Sequence, residues 1–216
     1  MDIIRKLTEE LGVQRWQAEA AVKLIDEGNT IPFISRYRKE ATGSLNDEVL
    51  RNLHERLTYL RGLEDKKNQV LGSIEEQGKL TEELKAQILA AETLVAVDDL
   101  YRPYRPKRRT RATIAKEKGL DGLADVIRLQ LTKKPLEEEA AAYLSEEKGV
   151  LTTADAIAGA GDILAEAISD EADYRSYIRK ATFDEGQLLS EAKDEKAQSV
   201  YEMYYNFEEP VKKIAG

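Results

Sequence analysis

A leucine stripe constrains this chain more than any other feature. Leu50, Leu53, Leu57 and Leu60 recur at alternating three- and four-residue spacing, the period that lines side chains along one face of an α-helix. Asn46 precedes the stripe as an N-cap, and Asp47 and Glu48 place negative charge in the first turn, where the helix dipole favours it. The stripe breaks over the polar run Glu64–Gln69, resumes at Val70, Leu71 and Ile74, and ends at Gly78. A coiled coil needs about three or four sustained heptads. A single long helix over 47–77, packed across a bundle, fits better. Leu, Ala, Glu, Lys and Arg dominate the rest of the chain, and all are strong helix formers. The predicted fold class is therefore all-α: an irregular multi-helix bundle with a long central helix.

Other helices follow the same logic. Ile3, Ile4, Leu7 and Leu11 sit at helical spacing before Gly12, and a second helix carries Val13, Trp16, Ala20 and Leu24 up to Gly28. Two short helices around a glycine turn, near 3–27, make a helix-turn-helix-like element and suit any helical hairpin equally well. Gln17 and Glu19 are poor candidates for reading bases. Pro32 is expected to interrupt the stretch 30–39. Further helices are predicted over 81–91, 93–101, 112–118, 121–131, 135–147, 153–168, about 170–183 and 194–206, with 186–190 either a short strand or an extended link. The helical module is thus expected to run over 1–206, with 207–216 opening a link to a further domain.

Composition excludes several chemistries. The chain has no Cys and one His, His54, so thiolate metal sites, disulfides, cysteine nucleophiles and multi-histidine metal centres are ruled out. No stretch approaches the roughly 20 apolar residues of a membrane span, and the N-terminus lacks a signal-peptide pattern; a cytoplasmic location is expected. His54 flanks the leucine stripe without a visible Ser or Asp partner. Acid pairs such as Glu9-Glu10, Asp98-Asp99 and Glu137-Glu138-Glu139 read as solvated faces and helix first turns. Gly159-Ala160-Gly161 opens like a dinucleotide fingerprint, but Leu164 stands where the third glycine is required, so the fingerprint fails. No phosphate loop is present. No catalytic residue, cofactor or metal is expected, and the chain reads as non-enzymatic.

The strongest local signal is Tyr101-Arg102-Pro103-Tyr104-Arg105-Pro106-Lys107-Arg108-Arg109-Thr110-Arg111. It holds six cations and no acid in a chain of net charge −8, so the remainder carries −14. The two prolines are expected to hold it extended. Arginine forks match phosphate oxygens, and Tyr101 and Tyr104 could stack on bases, the makeup of a nucleic-acid contact. Two other readings stay open: arginines paired to surrounding acidic helices, and a proline-motif ligand. Arg36, Arg38 and Lys39 form a second, shorter patch that could add to the first.

Two stretches resemble signatures of the bacterial Tex family of transcription accessory proteins. They are Ile31-Pro32-Phe33-Ile34-Ser35-Arg36-Tyr37-Arg38-Lys39-Glu40-Ala41-Thr42-Gly43 and Asp99-Leu100-Tyr101-Arg102-Pro103-Tyr104-Arg105-Pro106-Lys107-Arg108-Arg109-Thr110. The tail Glu209-Pro210-Val211-Lys212-Lys213-Ile214 resembles that family's link into its next domain. The resemblance implies a much longer protein. In it, a helical N-terminal region with a helix-turn-helix-like element precedes RNase H-like, helix-hairpin-helix and S1 RNA-binding domains. It implies a nucleic-acid-associated transcription accessory function with no catalytic residues in this portion. The expected partners are RNA or DNA, bound weakly here, the remaining domains of the full-length protein, and the transcription machinery. The rival reading is a docking scaffold with no direct nucleic-acid contact.

Overall fold

A computed structural model describes residues 1–106, 108–194 and 196–214; Lys107, Glu195, Ala215 and Gly216 lie outside the described residues. The chain divides into two compact units, Met1–Val97 and Asp98–Gly216. The described residues are predominantly helical, with one two-stranded sheet.

The first unit holds α1 (Ile3–Leu11), α2 (Arg15–Asp26), α3 (Ile31–Tyr37), α4 (Lys39–Thr42), α5 (Asp47–Glu76) and α6 (Glu82–Ala90). The starts of α1 and α5 are set by side-chain caps. Asp2 Oδ1 accepts the Arg5 N–H at 2.9 Å and Asn46 Oδ1 that of Val49 at 2.8 Å, each satisfying a donor that the first turn leaves without a partner. Gly12 ends α1 in the left-handed conformation. Pro32 does not interrupt the stretch 30–39. It sits in the first turn of α3, where its missing N–H costs nothing and its fixed φ suits the helix.

The core of this unit is the leucine stripe of α5 against Leu7, Ala18, Ala21 and Ile34. Leu50, Leu53, Leu57 and Leu60 are all buried. The stripe does not break at the polar run, as its composition suggested: Leu63, Lys67, Val70 and Ile74 continue it. Lys67 is only 2% exposed. Its Nζ donates to the Leu89 carbonyl at 2.9 Å and lies 3.1 Å from Glu64 Oε1. Leu89 is in the last turn of α6, where carbonyls have no intrahelical donor, so the ammonium and the helix end satisfy each other. The second Glu64 oxygen takes the Met1 ammonium at 2.9 Å. That hydrogen bond, with Lys67, outweighs burial and lowers the Glu64 carboxyl below its ordinary range. On the flanks, Arg56 grips Glu10 with two hydrogen bonds and Arg61 grips Asp26 likewise, fastening α5 to α1 and α2.

Helix α7 (Leu94–Tyr101) crosses from one unit into the other. The second unit continues with a 3-10 turn, Arg102–Tyr104, then α8 (Arg111–Glu117), α9 (Asp121–Leu129), α10 (Leu136–Ala141), α11 (Thr153–Asp170), α12 (Ala172–Glu185) and strands β1 (Gln187–Glu191) and β2 (Asn206–Pro210). Its core is rich in alanine: Ala112, Ala115, Ala124, Ala140, Ala156 and Ala160 surround Leu120, Leu123 and Val150. A side chain at Gly159 would collide with Leu120, so this glycine permits close helix approach. Thr152 and Asp155 form a reciprocal capping box at the start of α11.

The end of this unit departs from expectation. No α-helix forms over the described part of 194–206. Asp194 Oδ1 accepts the Lys196 N–H and Ser199 Oγ that of Tyr201, local bonds that compete with a helix ladder. Residues 187–191 are a strand, paired antiparallel with 206–210 so that Leu189 faces Glu208. A further 3-10 turn, Val211–Lys213, follows.

Candidate nucleic-acid interface

The basic segment is ordered by its acids. Pro103 does not hold it extended: it lies in the 3-10 turn Arg102–Tyr104, whose carbonyl at Arg102 accepts the Arg105 N–H. From there the arginines reach carboxylates in turn. Arg102 Nε donates to Asp170 Oδ1 at 2.9 Å, Arg105 to Asp98 at 3.0 Å, and Arg109 to Glu117 at 2.5 Å. Arg111 lies 3.5 Å from Asp162. Arg105 also covers the Tyr101 ring, 5.7 Å from its centroid, so one side of that candidate stacking surface is occupied, and Tyr104 is half-buried. Arg108 is exposed and has no ion pair among the described residues. Lys107 lies outside them.

Asp99 reinforces this frame. It is 6% exposed and accepts hydrogen bonds from Arg175 Nε and Arg179 NH2, both at 2.7 Å. Burial alone would raise its carboxyl; the hydrogen bonds from Arg175 and Arg179 overcome that and hold it below the ordinary range. The segment therefore begins on a clamp between α7 and α12. The pairs of Arg105, Arg109 and Arg111 are open to solvent, where such contacts are weak and are exchanged at little cost.

The shorter patch has the opposite character. Arg36 in α3, Arg38 at the α3–α4 junction and Lys39 opening α4 are all exposed, and among the described residues none has an acidic partner. Arg38 lies over the Phe33 ring at 5.5 Å, and Phe33 and Tyr37 are tilted rings with centroids 5.4 Å apart. Their spacing of four residues on α3 puts them on one face. The four-residue spacing of Phe33 and Tyr37 is visible in the sequence, but only the cations Arg36, Arg38 and Lys39 mark the patch there as a candidate site. Trp16 could not be found that way: it lies in α2, and its ring sits so close to Gly43 that a Cβ there would overlap it. Gly43 caps α4 with φ +63°, a conformation glycine adopts without strain.

The helix pair α1–α2 offers no evident base reader. Gln17 donates from Nε2 to the Thr42 and Gly43 carbonyls at 3.2 Å each, and Glu19 is held by Arg15. His54 is exposed on α5. Among the described residues, no three His, Asp or Glu side chains are grouped to hold a metal ion, and no helix is long and apolar enough to cross a membrane.

Two family models cover most of the chain: the Tex-like protein N-terminal domain matches residues 1–75, and the Tex central region-like model matches 131–216. The chain belongs to the Tex family. It is 46% identical over 98% of its length to the transcriptional accessory protein Tex of Neisseria gonorrhoeae, and 44% identical over 97% to the uncharacterized protein YdcI of Bacillus subtilis. It spans 28% and 30% of those two proteins. A more distant similarity, 31% over 82% of the chain and 18% of the other protein, is to the human S1 RNA-binding domain-containing protein 1. The N-terminal match takes in Arg36, Arg38 and Lys39, whereas the basic segment from Arg102 to Arg111 falls between the two matched ranges.

Proposed function

We propose that this chain is the non-catalytic N-terminal part of a nucleic-acid-associated transcription accessory protein acting in the cytoplasm. Kinship with a protein named for transcription accessory function supports the role, as does the RNA-binding domain in another relative's name. The observation that carries contact by this chain itself is the exposed set Arg36, Arg38 and Lys39, cations with no acidic partner among the described residues. In a chain of net charge −8, such a patch is a local attraction for phosphate within a repulsive field that acts over about 8–10 Å at physiological salt. Binding is accordingly weak and independent of sequence, with RNA or DNA as the partner. Arg102, Arg105, Lys107, Arg108, Arg109 and Arg111, with Tyr101 and Tyr104, form a secondary contact; most of the described arginines there must release a carboxylate to take a phosphate. Fluorescence anisotropy of a labelled oligonucleotide, titrated with the chain at several salt concentrations, tests the reading. Phosphate contacts give log K falling by about 0.7–0.9 per contact per log unit of salt, and no binding at low salt refutes it.

A second reading has its own support. The Asp99 clamp and the Arg102–Asp170 pair make the basic segment part of the internal frame. In that reading the chain is a scaffold for the remainder of a full-length Tex protein or for the transcription machinery.

A further inference from the structure

From the arrangement of α2, α3 and α4 we infer a stacking site for the unpaired bases of single-stranded nucleic acid, formed by Trp16, Phe33 and Tyr37 and bordered by Arg36, Arg38 and Lys39. This rests on the nucleic-acid reading above and specifies its ligand and its place.

The aromatic exposure calls for an occupant. The chain has one tryptophan and three phenylalanines, and aromatic side chains are the largest contributors to a core. Yet Trp16 is 52% exposed and Tyr37 64% exposed. Phe33 is also on the surface, beside Tyr37 and with the Arg38 guanidinium over one side of its ring, so it borders the more open Trp16 and Tyr37. Rings beside cations are the recurrent makeup of single-strand binding surfaces: bases stack on the rings, and cations follow the phosphates.

Helix α2, which carries Trp16, packs against both α3 and α4. α4 is a single turn, roughly 6 Å long. Arg38 and Lys39 stand at its start, and Gly43 carries Trp16 at its end. Trp16 is seated twice over: Gly43 leaves room for its ring, and the neighbouring Gln17 is hydrogen-bonded to the Thr42 and Gly43 carbonyls. That fixes a ring in advance, which lowers the ordering cost of binding.

Charge points the same way. Several acids on the neighbouring helices are already held: Glu19 by Arg15, Asp26 by Arg61, and Asp47 by Arg51. Within 31–43 the only acid is Glu40, against Arg36, Arg38 and Lys39. Sequence-specific duplex recognition would need base-reading side chains in a groove, and Gln17 and Glu19 of α2 are engaged within the protein; a duplex held by its phosphates alone keeps its bases stacked and paired, out of reach of the rings.

Trp16 is the chain's only tryptophan, so its fluorescence, excited where tyrosine does not absorb, reports on the site directly. The chain is titrated with a short poly-dT strand, a short poly-U strand and a duplex of equal length. The expected result is quenching by at least one single strand and weaker binding of the duplex. Tyr37→Ala should weaken the strand about tenfold with an unchanged melting temperature, since Tyr37 is a surface residue. Arg36→Gln/Arg38→Gln/Lys39→Gln should weaken it and lower the salt slope. Binding by anisotropy without any change in Trp16 fluorescence, and with Tyr37→Ala behaving as wild type, overturns the stacking site while leaving nucleic-acid association intact. Duplex binding equal to or tighter than the single strand overturns it as well. No binding by any probe overturns both.

Discussion

Arg102 donates from Nε to Asp170 at 2.9 Å, joining residues 68 apart in the chain. The neighbouring pair, Arg105 with Asp98, spans only seven. Asp170 is 8% exposed, whereas the Arg105 and Asp98 side chains are about half exposed. The same basic segment therefore mixes a structural pair with surface ones.

Arg102→Gln should destabilise the second unit by about 1–2 kcal/mol, the cost of weakening the satisfaction of a nearly buried carboxylate. Arg105→Gln should stay within about 0.5 kcal/mol. Urea melts of the two variants check this, and equal effects would remove the distinction between the pairs.

Leu57 is buried in the middle of α5 against α1 and α2. Leu57→Ala should cost about 2–5 kcal/mol, read as a lower urea midpoint. An unchanged midpoint would mean that the stripe does not carry the first unit's core.

Lys67→Ala removes both a packed stem and the donor to the Leu89 carbonyl, and about 3 kcal/mol of stability should go with them. Lys67→Met keeps the stem, as long cationic side chains pack along their methylenes, and should recover part of that loss. Comparing the two melts separates packing from hydrogen bonding.

The Asp99 carboxyl is lowered in the folded state. Its stabilisation is therefore complete above the ordinary aspartate value of about 3.9. It is lost as pH falls through the lower folded value. Thermal melts below about pH 4 should show the second unit weakening, and Asp99→Asn should flatten that acid limb while lowering stability at neutral pH. An acid limb of undiminished slope in Asp99→Asn would assign it to other carboxylates of that unit.

Helix α5 was legible because its information is local: the cap, the acidic first turn and the leucines all lie within one periodic stretch. Lys67 was not, because a lysine reads as polar and the carbonyl that makes its burial tolerable is 22 residues away. The basic segment was visible as composition, but its meaning depends on Asp162 and Asp170, which reach it only through the fold. The same applies to β1, whose pattern is ambiguous until Asn206–Pro210 supplies a partner strand. Trp16, Phe33 and Tyr37 read as core hydrophobics by type. Their exposure is a tertiary fact.

Strands β1 and β2 pair only with each other among the described residues, so each keeps one rim of backbone donors and acceptors turned away from the ladder. Leu188 and Leu189 on β1 are exposed as well. Such a rim is a template onto which another extended chain can add. At high concentration, this ribbon rather than the helical cores is where the protein would start to self-associate, and charged residues in place of the two leucines should extend its shelf life.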